Sequence, residues 1–155
     1  MPDPRGGVRR ARHEVAVVFR TRCGNVGAAV FADAIRLVLA GERTPDALIS
    51  CAIVSDEEIH ALNRRFLRHD YPTDIITFPL EEEPLEAELV ISADTARRQA
   101  REYGVTMRDE CARLAIHGTL HLRGYDDRHE SDRVVMKERE EFYLEQFRNF
   151  DRTRR

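Results

Sequence analysis

Residues 73–91, with the sequence TDIITFPLEEEPLEAELVI, decide the fold class. Residues 73–78 have the β-branched and aromatic composition of a strand, and Pro79 is predicted to end it. An acidic loop at residues 81–86 leads to a second short strand at residues 88–91. Two strands this close in sequence are expected to pair as an antiparallel hairpin with a longish loop.

The chain before this hairpin alternates between strand and helix patterns. Residues 13–20 show the period of a half-buried strand, residues 26–40 have helical spacing, and residues 48–54 form a β-branched run typical of a buried strand. Ser55 and Glu58 form a capping box that opens a second helix. This half of the chain is therefore predicted to pack helices on a sheet.

Three helices are predicted after the hairpin. Ser92 or Asp94 can cap the first, which ends at Gly104, and Thr106 opens the second. The third is amphipathic and covers roughly residues 131–147. The order of elements predicts an α+β fold, in which a small mixed sheet of about four strands is packed with about five helices in one domain.

The composition is that of one globular domain. The chain has 155 residues, of which 42% are hydrophobic and 34% charged, and its net charge of −3 gives no overall attraction to nucleic acid. We expect residues 13–150 to form the domain and residues 1–12, rich in arginine, proline and glycine, to be a disordered basic arm. No apolar run approaches the roughly 20 residues of a membrane span, so a cytoplasmic protein is expected. The separated Cys23, Cys51 and Cys111 are expected to be small buried hydrophobes.

Chemically active residues are concentrated in residues 116–127, IHGTLHLRGYDD. His117 and His121 are four residues apart on a predicted helix, so their imidazoles share one face. Gly124 tolerates a positive φ and can fold the chain back, which makes Asp127 the natural third ligand. Three protein ligands leave one tetrahedral position for water, as in catalytic zinc sites.

Gly118 narrows the chemistry of this site. Metalloproteases with an HExxH motif carry a glutamate base at this position, so peptide hydrolysis by their mechanism is disfavoured. The base would have to be Asp126, a water held elsewhere, or the substrate itself. A glycine inside a helix costs about 1 kcal/mol relative to alanine, which predicts a close approach of substrate or a partner helix.

Two motifs resemble those of the YbeY family, metal-dependent endoribonucleases that take part in ribosomal RNA maturation. The family signature HGxLHLxGYDH is matched by residues 117–127 at every fixed position except the last, and PTDVLSFP is matched by residues 72–79 as PTDIITFP. The resemblance extends from about residue 48 to 141. It implies a four-stranded mixed sheet, one Zn²⁺ ion per chain and cleavage of single-stranded RNA. It also implies a role with the small ribosomal subunit in 16S rRNA 3′-end maturation and ribosome quality control.

The sequence departs from the family at two positions that bear on the site. Asp127 stands where the family has its third histidine, and we favour it as a ligand over His129, two residues further on. The family's loop arginine falls on Leu67, and Arg68 beside it is the candidate for a catalytic role in RNA contact. Asp126 is the candidate for the second catalytic residue, the base.

Other polar residues have two interpretations. Thr73 and Asp74 either open a strand or line an RNA cleft. Two groups of arginines are most economically solvated helix faces, although either could follow phosphates if it borders the metal. They are Arg64, Arg65 and Arg68 in one group, and Arg97, Arg98 and Arg101 in the other.

Three functions stay open from the sequence. The first is a metal-dependent RNA hydrolase, the second a metallopeptidase with an atypical base, and the third a non-catalytic ribosome assembly factor with a structural zinc ion. Two histidines and one aspartate would also accept nickel, manganese or iron. The oligomeric state, the cleavage position and the protein partners are not predicted.

Overall fold

A computed structural model describes residues 9–154. Its elements in chain order are β1 (His13–Phe19), α1 (Ala28–Gly41), β2 (Ala47–Val54), α2 (Asp56–Leu67), β3 (Ile75–Glu82), β4 (Leu85–Ser92), α3 (Ala93–Tyr103), α4 (Met107–Leu122) and α5 (Glu130–Arg154). Residues 1–8 of the predicted basic arm lie outside the described residues. Within its remainder, the Arg9 guanidinium lies 2.9 Å from the Asp46 carboxylate, which also accepts the backbone N–H of Arg12 at 2.8 Å.

The four strands form one mixed sheet in the order β1-β2-β4-β3. β1 and β4 run parallel to β2, whereas β3 runs antiparallel to β4. The central strands β2 and β4 place Ile49, Ile53, Leu89 and Ile91 in the core with no exposed surface. The predicted α+β class, with a four-stranded mixed sheet and five helices, is confirmed.

The hairpin is tighter than predicted. β3 continues through Pro79 to Glu82 and β4 begins at Leu85, so the acidic segment is mostly strand rather than loop. The prediction that Pro79 ends the strand is wrong because β3 is an edge strand, where a residue without an N–H need not complete a ladder. The pairing of β3 with β4 shifts register between Pro79 and Glu81, which accommodates the proline within the strand.

The predicted helix caps recur in the structure. Each capping hydroxyl accepts the backbone N–H of the residue three positions later in the chain. The distances are 3.2 Å at Ser55, 3.1 Å at Ser92 and 3.0 Å at Thr106. Gly104 ends α3 with a φ of +67°. Short-range signals of this kind are readable because both partners lie within one turn.

Helix α4 is the central helix of the fold. It packs against α1, α3 and α5 and against the β3–β4 hairpin. A Cβ at Gly118 would lie 2.5 Å from Cδ1 of Ile75 and 3.1 Å from Cδ2 of Leu89, so the absent side chain lets the helix lie directly on the sheet. The close approach predicted at Gly118 is thus to the sheet, and neither to substrate nor to another helix.

All three cysteines are buried, as predicted. Cys23 and Cys111 place their sulfur atoms 3.8 Å apart. Burial and the neighbouring Cys23 raise the pKa of the Cys51 thiol to about 12, so this thiol is inert at neutral pH.

Among the helices that the structure describes, none combines the length and the apolar character needed to cross a membrane.

Candidate metal centre

His117 and His121 lie on the last turns of α4 with their rings facing each other. Their Nε2 atoms are 3.0 Å apart, and their ring centroids are separated by 4.6 Å at an interplanar angle of 78°. Two ligands about 2.0–2.1 Å from a tetrahedral zinc ion lie roughly 3.3–3.4 Å from each other. The two imidazoles are therefore spaced to share one ion.

The turn after α4 returns Asp127 to these histidines. Gly124 adopts a φ of +95°, and the Tyr125 N–H donates to the Leu120 carbonyl at 3.1 Å. Oδ2 of Asp127 then lies 3.4 Å from Nε2 of His121 and 3.6 Å from Nε2 of His117. The three ligand atoms fall within 4.8 Å of one another. This donor set fits a divalent metal, and it includes Asp127 but not His129.

The turn is also anchored to a distant part of the fold. The Tyr125 hydroxyl donates to Oε1 of Glu42, just beyond α1, at 2.7 Å. Oε2 of the same carboxylate accepts from the Arg139 guanidinium at 2.7 Å and from the Tyr143 hydroxyl. Because these contacts join α1, the turn and α5, they fix the segment that carries Asp127.

Glu140 of α5 completes the surroundings of His117. Its Oε1 contacts Nδ1 of His117, and its side chain is only 11% exposed. A carboxylate on the second ring nitrogen is the usual partner of a metal-binding histidine, since it fixes both the tautomer and the ring orientation. Sequence reasoning missed Glu140. The available signal was a glutamate between Met136 and Tyr143, which are buried on the same face of α5.

The electrostatics of this pocket favour a positive charge. Burial, the largest contribution, lowers the pKa of His117, but the bond and charge of Glu140 raise it above the ordinary value overall. The charges of Asp74 and Asp127 act in the same direction. A proton is stabilised on His117 here, and a bound cation would be stabilised by the same carboxylates.

Arg113, one turn before His117, is held by a second buried carboxylate. Its Nε and Nη2 atoms donate to the two oxygens of Glu110 at 2.6 and 2.8 Å. Nη1 of Arg113 lies 3.7 Å from Oε2 of Glu140. The Arg113 guanidinium thus lies between the Glu110 and Glu140 carboxylates, and the hydrogen bonds that it donates to Glu110 are the main reason that its pKa is raised.

A groove of about 990 Å³ lies between α4 and α5, and both His117 and Asp127 line it. Positive and negative side chains alternate along its walls, including Arg133, Lys137 and Glu141. The Asp127 side chain is 44% exposed at its mouth. The candidate centre is thus accessible to a polar substrate.

The predicted catalytic residues Asp126 and Arg68 occupy different surroundings. Oδ1 of Asp126 accepts the N–H groups of Asp127 and Arg128 at 2.7 and 3.3 Å, and the first of these bonds is the main reason its pKa is lowered. Arg68 ends α2 with a left-handed φ of +58° and is exposed. Their catalytic roles stay predictions.

Asp74 opens the hairpin next to the site. Its Oδ2 accepts from the Gln99 amide at 3.3 Å, and its charge contributes to the pKa shifts of both His117 and Arg113. Thr73 donates to Oδ1 of Asp74 at 3.5 Å. The sequence interpretation that placed Asp74 beside a cleft is compatible with this position.

The fold and the three-ligand group together define a class, namely an α+β protein with a candidate metal centre of the hydrolytic type. Comparisons with known proteins identify the family. The family model described as Endoribonuclease YbeY matches residues 26–148. The chain therefore belongs to the YbeY family, and the resemblance inferred from its two motifs is confirmed.

Individual relatives agree with this assignment. Endoribonuclease YbeY of Chlorobaculum parvum is 39% identical over 132 residues, which cover 84% of this chain and 94% of the relative. Endoribonuclease YbeY of Pelotomaculum thermopropionicum is 46% identical over 108 residues, covering 64% of this chain and 71% of the relative. A solution structure of a Thermotoga maritima protein is similar with a TM-score of 0.66 at 28% identity, covering 90% of this chain and 93% of that one.

Proposed function

We propose that this protein is a zinc-dependent endoribonuclease that cleaves single-stranded RNA. Its family consists of endoribonucleases, which are hydrolases. The observation that carries the proposal is the convergence of His117, His121 and Asp127 on one position at the mouth of a groove. The proposed substrate is ribosomal RNA, in 16S 3′-end maturation and ribosome quality control with the small ribosomal subunit, which would place the protein in the cytoplasm.

The donor set supports zinc as the proposed metal. Two imidazoles and one carboxylate are a common three-protein set for catalytic zinc, which leaves one position open. A bound zinc ion would polarise a phosphoryl oxygen and lower the pKa of water enough to supply hydroxide near neutral pH. His117 and His121 would provide the nitrogen ligands, and Asp127 the oxygen ligand.

The remaining side chains have supporting roles in this proposal. Glu140 holds the His117 ring in place, and Asp126 is the proposed base that orients a water molecule or accepts its proton. Because its pKa is lowered, Asp126 is a weaker base than an ordinary aspartate. Its loss should therefore reduce cleavage less than the loss of a metal ligand does. Arg68 is the proposed phosphate contact.

The surroundings of Gly118 and Asp127 argue against the two alternatives. An HExxH-type glutamate cannot be accommodated at Gly118 without displacing Ile75, because the helix lies on the sheet there. A purely structural zinc site is usually closed by four protein ligands. The candidate group found among the described residues has three, and Asp127 at its edge is exposed.

The test combines metal analysis with RNA cleavage by the full chain. We expect purified protein to hold about one zinc ion per chain and to cut a labelled single-stranded RNA, and we expect His121→Ala to lose both properties. His129→Ala is the matched control, since it removes a neighbouring histidine that lies outside the three-residue group. Cleavage that continues undiminished in metal-free His121→Ala protein would refute the proposal.

A further inference from the structure

The end of α2 and the loop that follows it expose three aromatic rings, those of Phe66, His69 and Tyr71. Phe66 is 55% exposed and Tyr71 is 54% exposed. The rings of His69 and Tyr71 are stacked, with centroids 5.3 Å apart and an interplanar angle of 11°. The Arg65 guanidinium lies over the Phe66 ring, 5.1 Å from its centroid. The Phe66 ring also packs edge-on against Phe78 of β3 at 5.8 Å, so the end of α2 and the loop after it each present partly open ring surface to solvent.

The arginines at the end of α2 have no carboxylate partner among the described residues, whereas two arginines of α3 do. On α3, Arg97 pairs with Asp94 at 3.4 Å and Arg98 pairs with Asp56 at 2.7 Å. Ion pairs of the described residues include none with Arg64, Arg65 or Arg68, and all three of these arginines are exposed. Arg101 of α3 is likewise exposed and enters none of the ion pairs in the described part of the chain, so the α2 group differs in that all three of its arginines are unpaired and lie next to exposed rings.

Buried polar contacts hold the loop in its observed shape. The side-chain amide of Asn63, a residue that is 1% exposed, donates to the Tyr71 backbone carbonyl at 2.8 Å. The backbone carbonyl of Asn63 accepts the His69 N–H at 3.2 Å. At the outer side, Asp70 contacts His60 at 2.8 Å. These bonds fix the loop against α2 in the free protein. Binding a ligand therefore costs less conformational entropy than it would for a flexible loop.

The loop leads into β3 through Asp74, whose charge acts on His117 of the candidate metal centre. Tyr71 precedes Ile75 by four residues, a stretch that spans at most about 14 Å. Ile75 is the residue that a Cβ at Gly118 would meet, and Gly118 follows His117 in the chain. Ile75 faces α4, whereas Phe78 faces Phe66 on the other side of the edge strand β3. An RNA strand that contacts both the loop and the metal centre therefore has to pass around this edge of the sheet.

We propose that Phe66, His69 and Tyr71, with Arg64, Arg65 and Arg68, form a base-stacking platform for the single-stranded RNA substrate. This inference rests on the proposed endoribonuclease function and adds how the substrate is held. Bases stack on the exposed rings, and the arginines contact the phosphates beside them. Stacking on aromatic rings accepts any base, so the platform orients single-stranded RNA without reading its sequence.

Binding rather than cleavage tests the platform. A fluorescently labelled oligouridylate of about 10 nucleotides matches the footprint of such surfaces. Its affinity is measured by anisotropy in full-length protein carrying His121→Ala, so that the probe is not cut. Changing Phe66 and Tyr71 together to leucine removes the rings but keeps apolar bulk, and we expect about 10- to 100-fold weaker binding. Phe66→Tyr keeps a ring and should restore most of the affinity lost at that position.

Salt dependence separates stacking from charge. The leucine variant should keep the slope of log affinity against log salt, while Arg65→Gln and Arg68→Gln should each reduce it by about 0.7. Phe142→Leu is the matched control, because Phe142 is 47% exposed on α5 and also lies under an arginine, Arg139, at 4.8 Å. It should leave RNA affinity unchanged.

Two outcomes distinguish this proposal from the proposed function. If the leucine variant melts like its parent and binds RNA within twofold of it, the platform is overturned. That result would leave metal-dependent cleavage by the unmodified chain untouched. If the rings are needed for binding but cleavage does not depend on His121, the platform stands and the proposed enzyme mechanism fails.

Discussion

Glu140 on α5 contacts Nδ1 of His117 on α4, which directs Nε2 of the same ring toward Asp127, 3.6 Å away. The two residues are 23 positions apart in the sequence and lie on different helices. It makes the geometry of the metal centre depend on how α5 packs against α4.

Glu140→Gln is expected to weaken metal binding about 10- to 100-fold, the usual effect of losing a carboxylate partner of a metal-bound histidine. The amide can still occupy the space but supplies no negative charge. Affinity is measured by competition with a chromogenic zinc chelator. Glu138→Gln removes the same charge from an exposed position of α5 and serves as the control. Equal zinc affinities in the two variants would contradict the role of Glu140.

Glu42→Gln is expected to destabilise the fold by about 2 kcal/mol at neutral pH, because the carboxylate accepts hydrogen bonds from Tyr125, Tyr143 and Arg139. Burial, the largest contribution, raises the pKa of Glu42, but these donors together lower it below its ordinary value. The measurement is urea unfolding of both proteins at several pH values.

The sign of the pH dependence follows from that lowered pKa. Glu42 contributes its full stabilisation above the unfolded-state value of about 4.3, and the contribution is lost as pH falls through the lower folded-state pKa. The difference in unfolding free energy between wild type and Glu42→Gln should therefore be largest near pH 7 and shrink below about pH 4. A difference that grew on acidification would contradict this assignment.

The parts of the site that the sequence predicts are those built from neighbouring residues. His117, His121 and Asp127 are brought together by one helix face and by the positive φ of Gly124, so their spacing alone indicates the group. Glu140 is positioned instead by the burial of Tyr143 and Phe147 between helices. Interhelical packing of this kind leaves only a weak local signal, a charged residue on an apolar face.

The fold shows the same division. The strands on both sides of Pro84 could be recognised from their β-branched residues, but the continuation of β3 through Pro79 could not. Whether a proline is tolerated depends on whether its strand is at the edge of the sheet. That position is set by the order β1-β2-β4-β3, which results from parallel pairings between segments far apart in the chain.

Gly118→Ala tests the close packing of α4 on the sheet. In an open helix this change would stabilise the protein by up to about 1 kcal/mol, because alanine has the higher helix propensity. Here the new methyl group would lie 2.5 Å from Cδ1 of Ile75, the movable end of a half-buried side chain, and 3.1 Å from Cδ2 of the fully buried Leu89. We therefore expect the gain to be cancelled and the unfolding free energy to fall by about 1 kcal/mol.

The combination of Gly118→Ala with Ile75→Val provides the control for this prediction. Valine lacks the Cδ1 atom that the methyl group meets, so it should recover part of the lost stability. Thermal and urea unfolding of the two single variants and the double variant give the coupling between the positions. Strictly additive effects would show that Gly118 and Ile75 do not compete for space.

Asp127→His restores the third histidine of the YbeY signature and tests whether residue 127 binds the metal. Imidazole is a softer ligand than carboxylate, so the variant should raise the affinity for zinc relative to manganese. Asp127→Ala should lower the affinity for both ions, since it leaves only His117 and His121. The measurement is competitive binding of the two ions to metal-free protein. If residue 127 is not a ligand, both variants will keep the zinc-to-manganese ratio of the natural chain, and His129→Ala will be the change that lowers metal affinity.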